Sequence, residues 1–167
     1  MLIQRCWLHK LRNIKDYIPD VNHGQLWRRM KKIMGINDGK VARREIELLA
    51  DWLHTISAEA EKSLREAGDE LLTVHDLGLT GSFRNSLSST NIIESLIGLA
   101  KTKMKNVRNW NYHPKTSQKI PRDKAQRWVA MVIQDHRAKM RRLNGGKEQM
   151  EILRNKLNQL GQEKASA

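Results

Sequence analysis

Val41-Ala42-Arg43-Arg44-Glu45-Ile46-Glu47-Leu48-Leu49-Ala50-Asp51-Trp52-Leu53-His54-Thr55-Ile56-Ser57 sets the architectural class of this chain. Val41, Leu48, Leu49, Trp52, Leu53 and Ile56 recur at helical spacing and make one apolar stripe, where a half-buried strand would alternate. Ser57 is the residue type that caps a helix start, and Ala60, Leu64, Ala67, Leu71 and Leu72 form a matching stripe after it. Two such stripes joined by a short turn predict a helical hairpin in a mainly α chain.

Upstream, Leu2 to Leu8 is apolar and bulky enough for one short N-terminal strand, followed by a helix from His9 to Ile18 that Pro19 stops. With no second strand to pair with, that strand exposes backbone groups and predicts self-association. Gln25 to Met34 reads as a short basic helix closed by Gly35, and Asn37-Asp38-Gly39 marks a turn. Downstream, a helix starts near Asn91 and buries Ile92, Leu96, Ile97 and Leu99, then a polar loop runs from Asn109 to Pro121. Ala125, Trp128, Val129, Val132, Ile133, His136, Met140 and Leu143 line a long helix ended by Asn144-Gly145-Gly146. A last amphipathic helix carries Met150, Leu153, Leu157 and Leu160.

The 167 residues hold 31 Lys and Arg against 18 Asp and Glu, a net charge of +13, so the surface attracts polyanions. The charge is uneven. Residues 101–142 carry thirteen bases against Asp123 and Asp135, whereas residues 36–80 carry ten acids against five bases. Duplex DNA presents one phosphate charge per about 1.7 Å of axis, so the basic block is the candidate DNA face and the acidic block is repelled from it. The plainer alternative is that these cations only solubilise exposed helix faces. No apolar run reaches the roughly 18 residues of a membrane span, and a single cysteine forms no internal disulfide. An intracellular protein, cytoplasmic and nucleoid-associated, with no membrane partner is expected.

Two motifs carry the chemistry. The first is Gln4-Arg5-Cys6-Trp7-Leu8-His9, extended by Lys10-Leu11-Arg12-Asn13, and the second is Ser88-Ser89-Thr90-Asn91-Ile92-Ile93-Glu94-Ser95. Read alone, Asn91 and Glu94 make a capping box, the Glu94 carboxylate reaching back to the N-cap amide at the positive helix end. Read alone, Cys6 and His9 are a buried thiol and a surface histidine, since Cys-x-x-His supplies two ligands where structural zinc needs four.

Taken together, the motifs resemble those of the Mutator-like insertion-sequence transposases, with Cys6, His9, Thr90, Asn91, Glu94 and Ser95 matching. The resemblance implies a DDE recombinase with a ribonuclease H-like α/β core interrupted by an all-helical insertion. It implies Glu94 as the third catalytic and metal-binding carboxylate, His9 near the scissile phosphate, and Mg²⁺ as cofactor. Such ions activate the attacking oxygen and stabilise the leaving one in phosphodiester cutting and joining. Met1 stands just before the first motif, so the expectation is a C-terminal fragment without the first two catalytic Asp residues, inactive alone and a poor Mg²⁺ binder. Asp16, Asp20, Asp51 and Asp76 lie in surroundings unlike the family's Asp motifs.

In this reading residues 1–18 are a core strand and helix, 19–80 the helical insertion, 81–113 the core helix with the third acid, and 114–167 a basic helical region. Expected partners are double-stranded DNA, as transposon ends and target, and further transposase subunits. Arg84, Lys101, Lys103, Lys105, Arg108 and Trp110 are the expected DNA-binding residues, Trp110 stacking on a base beside Tyr112 and His113. Trp52 is either a core residue or the tryptophan that such insertions turn toward flipped bases. Trp7, Trp27 and Trp128 read as packing residues. The alternative function is a non-catalytic basic helical DNA-binding protein, or a regulator of transposition.

Overall fold

Asp38 opens the hairpin: its carboxylate accepts the backbone N–H groups of Lys40 at 2.7 Å and Val41 at 3.3 Å, satisfying donors a helix start leaves unpaired. The computed structural model describes residues 2–107, 123–137, 139–140 and 143–165. In chain order its helices are α1 (Trp7–Lys15), α2 (Asp20–Gly35), α3 (Gly39–His54), α4 (Ala58–Ala67), a 3₁₀ turn (Gly68–Leu71), α5 (Thr73–Asp76), α6 (Gly81–Leu87), α7 (Asn91–Met104), α8 (Asp123–Arg137) and α9 (Gly146–Ala165). The chain divides into two compact units, Met1–Thr90 with Leu143–Ala167, and Asn91–Arg142.

In the first unit, Ser57 caps α4 as expected, its hydroxyl accepting Ala60 N–H at 3.2 Å, and α3 packs on α4. Ala60, Leu64, Ala67, Leu71 and Leu72 are all buried. On α3 the buried face is Ala42, Ile46, Leu49, Ala50 and Leu53, while Val41 and Leu48 are 47% and 49% exposed. The expected stripe is therefore rotated: Ala42 and Ala50 are buried, while the larger Val41 and Leu48 beside them stay exposed. Trp52 is half-buried against the core, under the Arg29 guanidinium at 4.9 Å from its ring centroid.

The strand expected at Leu2 to Leu8 is absent, and no strand occurs among the described residues. Trp7, Leu11, Ile14 and Ile18 repeat at helical spacing and are all buried, so α1 starts inside the segment read as a strand. Residues before it find partners away from any sheet. Arg5 N–H donates to the Glu70 carbonyl at 2.9 Å, and the Gln4 side chain bridges the Leu71 carbonyl and Val74 N–H. The unpaired edge that predicted self-association does not exist in this segment. Pro19 precedes α2, which begins five residues earlier than expected and buries Leu26, Met30 and Ile33.

Beyond the hairpin, Val74, Leu77, Leu79 and Phe83 make a second apolar cluster with Leu143, Ile152, Leu153 and Leu160 packed against it. The covered face of α9 therefore includes Gln149 and Ile152, Gln149 Oε1 accepting Thr80 N–H at 2.7 Å. Met150 and Leu157, expected on that face, are exposed.

The second unit packs α7 on α8, with Ala100 and Val132 buried and an ion pair between Lys103 and Asp135. Ile92 and Ile97, expected to be buried, are 44% and 48% exposed, whereas Leu96 and Leu99 are half-buried. α8 ends at Arg137, short of the expected Leu143. The polar loop expected from Asn109 to Pro121 lies outside the described residues.

His75 is the least comfortable buried group. It is 3% exposed and neither ring nitrogen has a hydrogen-bond partner. Burial and the Arg84 cation hold its pKa below the ordinary 6.5, against weaker opposing pulls from Asp76 and the backbone of Ile33 and Met34. The folded state thus binds fewer protons than the unfolded one, and stability falls as pH drops through 6.5. The urea midpoint should decline between about pH 7.5 and 5.5, above the range where carboxylates titrate. His75→Leu should flatten that decline; an unchanged slope would remove His75 as its origin.

Candidate functional site

Cys6 is the residue before α1, with extended backbone at φ −70° and ψ 116°. Trp7 follows it into the core. The indole Nε1–H donates to the Leu71 carbonyl at 2.9 Å, and the Trp7 backbone N–H donates to the Ser88 carbonyl at 3.0 Å. Ser88 is itself buried, its hydroxyl donating to the Arg84 carbonyl. These bonds set the first turn of α1 beside the segment that ends at Thr90.

The consequence is a contact between two motifs more than eighty residues apart in sequence. The Thr90 hydroxyl donates to Cys6 Sγ at 3.5 Å and lies 3.4 Å from His9 Nδ1. One hydroxyl has one proton, so when sulfur takes it the oxygen accepts Nδ1–H from His9. That tautomer leaves Nε2 as the basic nitrogen of an exposed imidazole. Burial pushes the Cys6 thiol up, but the Thr90 hydroxyl, the backbone N–H groups of His9 and Thr90, and the His9 ring together bring it down to about 7. The arrangement holds a partly ionised thiol and an orientated histidine side by side.

Glu94 belongs to the second unit, in the first turn of α7, where its negative charge suits the positive helix end. Asn91 and Ser95 are exposed on the same turn and the next. Lys101, Lys103 and Lys105 are exposed at the other end of that helix. Lys103 is tied to Asp135, whereas Lys101 and Lys105 have no ion-pair partner among the described residues. Arg108 and Trp110 lie outside the described residues.

Arg84 departs from its expected role at a DNA face. It is 2% exposed, and Nη1 donates to the Ile36 carbonyl at 2.7 Å and Asn37 Oδ1 at 3.1 Å. Burial lowers its pKa. It pins the α2–α3 turn from inside, a role that sequence alone does not announce because an arginine on a short helix reads as solvated.

No group of three or more His, Cys, Asp or Glu that could hold a metal ion occurs among the described residues. The donor set in these residues does not fit a complete metal centre.

Iodoacetamide alkylation of Cys6 should titrate with a midpoint near 7 instead of the ordinary 9.0. Thr90→Val keeps the side-chain shape and removes the hydroxyl, so it should move the midpoint upward. A wild-type midpoint above about 8, or one indifferent to Thr90, would mean that the hydroxyl does not polarise the sulfur.

Residues 1–137 match the family model described as Transposase, Mutator family. No curated protein and no solved structure matches the chain. The matched stretch contains both motifs, the hairpin and helices α7 and α8, leaving only α9 and the segment before it outside. The chain therefore belongs to the Mutator family of transposases.

Proposed function

We propose that this chain contributes to DNA transposition the third acid of a DDE site at Glu94, a phosphate-facing histidine at His9, and a duplex-binding surface around Lys101 and Lys105. Membership of a transposase family implies DNA as the substrate, and the observation carrying the finer reading is the Thr90 hydroxyl placed between Cys6 Sγ and His9 Nδ1. A chance likeness in two short strings gives no reason for them to meet in the fold. His9 acts here through Nε2, accepting a proton or, when charged, donating to a phosphate oxygen. The ribonuclease H-like core and the use of Mg²⁺ belong to this proposal through the family resemblance.

These 167 residues alone do not cut DNA in this reading, because a two-metal centre needs several oxygen ligands converging from separate elements. Incubation with Mg²⁺ or Mn²⁺ and supercoiled DNA should leave the plasmid intact. Nicking that survives purification and vanishes in Glu94→Gln would show that the ligand set is complete after all. The net charge of +13 equally suits a second reading, a non-catalytic DNA-binding regulator.

Duplex binding tests the charged face independently of cleavage. Each neutralised phosphate adds about −0.9 to the slope of log K against log salt, so Lys101→Gln with Lys105→Gln should flatten it by up to about 2. Lys40→Gln with Lys62→Gln, in the acidic hairpin, should change it much less. Anisotropy of a labelled duplex across roughly 50–200 mM salt measures both pairs. Equal losses would reduce the net charge to a diffuse attraction with no defined face.

A further inference from the structure

The outer face of α2 is a second charged surface, separate from the one just described. After Asp20 this helix carries Arg28, Arg29, Lys31 and Lys32 and no acid. The four cations divide by direction. Arg29 lies over Trp52, and Lys32 Nζ pairs with Glu45 at 3.0 Å, both of them engaged with α3. Arg28 and Lys31 are exposed and have no ion-pair partner among the described residues.

Trp27 stands with that second pair. It is 39% exposed, whereas Leu26, Met30 and Ile33 hold the opposite side of the helix in the core. Positions 24, 27, 28 and 31 fall on one stripe at the three- and four-residue spacing of a helix. Gly24 adds no side chain there, and a Cβ built on it would meet only Arg28 Nη1, at 3.7 Å. Glycine inside a helix costs about 1 kcal/mol relative to alanine, and internal packing does not require it here. The result is a part-exposed indole with glycine one turn before it and two unneutralised cations on the same stripe.

We infer that this face of α2 binds unpaired DNA, Trp27 stacking on a base while Arg28 and Lys31 hold adjacent phosphates. An aromatic plane serves any base and flanking cations serve the backbone, which is how single-strand binders work without reading sequence. A duplex keeps its bases stacked on one another and offers this indole little, so the unpaired strand is the occupant the chemistry favours. The inference rests on the reading of the chain as a DNA-acting protein.

The test is anisotropy with a labelled oligothymidylate of about 15 nucleotides and, in parallel, a duplex of the same length. Trp27→Ala should weaken single-strand binding at least about fivefold and duplex binding less than about twofold. Arg28→Gln with Lys31→Gln should flatten the single-strand salt slope by about 1.4. Helical content and thermal midpoint of each variant are measured alongside, and the double variant, which leaves Trp27 and the core intact, carries the test if Trp27→Ala does not fold. Single-strand affinity unchanged in both variants overturns the inference. So does a change in oligomeric state with DNA affinity intact, which would make the face a contact between protein copies. Single-strand binding indifferent to Trp27, Arg28 and Lys31 while duplex binding still follows Lys101 and Lys105 overturns this face alone and leaves the proposed function standing.

Discussion

Trp7 ties three distant pieces of chain together. Its ring is buried in the main core, its indole N–H meets the Leu71 carbonyl, and its backbone N–H meets the Ser88 carbonyl. Removing the ring leaves a cavity among α1, the hairpin and the short turns after it, and leaves the Leu71 carbonyl without its indole donor. Large aromatic truncations of this kind cost about 3–5 kcal/mol, a large share of a domain's total stability. The neighbouring Lys10 adds a polar tie, its Nζ donating to the Ser63 carbonyl at 2.9 Å and pairing with Glu66. Because Cys6 and His9 flank Trp7 on the same helix turn, their position relative to Thr90 is a by-product of this packing.

The hairpin was readable in the sequence because two independent signals agreed: a cap at Ser57 and a 3.6-residue apolar repeat. The phase of α3 was misread because hydrophobicity was weighed by size. Val41 and Leu48 look like core residues, yet they are exposed, while Ala42 and Ala50 are buried. The N-terminal strand failed for a related reason. A short apolar run does not distinguish strand from helix, and only the longer series Trp7, Leu11, Ile14, Ile18 settles the period. The helices α5 and α6 are four and seven residues long, too short for periodicity, and they were missed. Arg84 was misplaced with them.

The site itself was legible as two motifs, not as a geometry. Sequence named Cys6, His9 and Thr90, but nothing local says that a threonine eighty residues away will donate to the sulfur. The same holds for the cations. Composition counts thirteen bases in residues 101–142, while the structure sorts cations by what already neutralises them. Arg43 holds Asp69 and Asp76, and Arg65 holds Glu47 and Glu61. Surface pairs like these contribute little stability. They remove those arginines from the supply of charge available to a phosphate. Lys101, Lys105, Arg28 and Lys31 carry no such pair among the described residues.

Thr90 places a single hydroxyl proton between Cys6 and His9. While Cys6 is ionised, the hydroxyl proton belongs to the sulfur, the oxygen accepts from His9 Nδ1, and the basic nitrogen of the ring is Nε2. Protonating Cys6 removes the strongest acceptor in the cluster, and the hydroxyl is then equally suited to donate to Nδ1, which would place the ring proton on Nε2. With the thiol at about 7, both arrangements occur near neutral pH, and the side chain that changes between proton acceptor and donor is the exposed His9. A serine at position 90 would keep the proton but lose the methyl group that fixes the rotamer, so the β-branched threonine is the better residue for holding one hydroxyl between sulfur and ring.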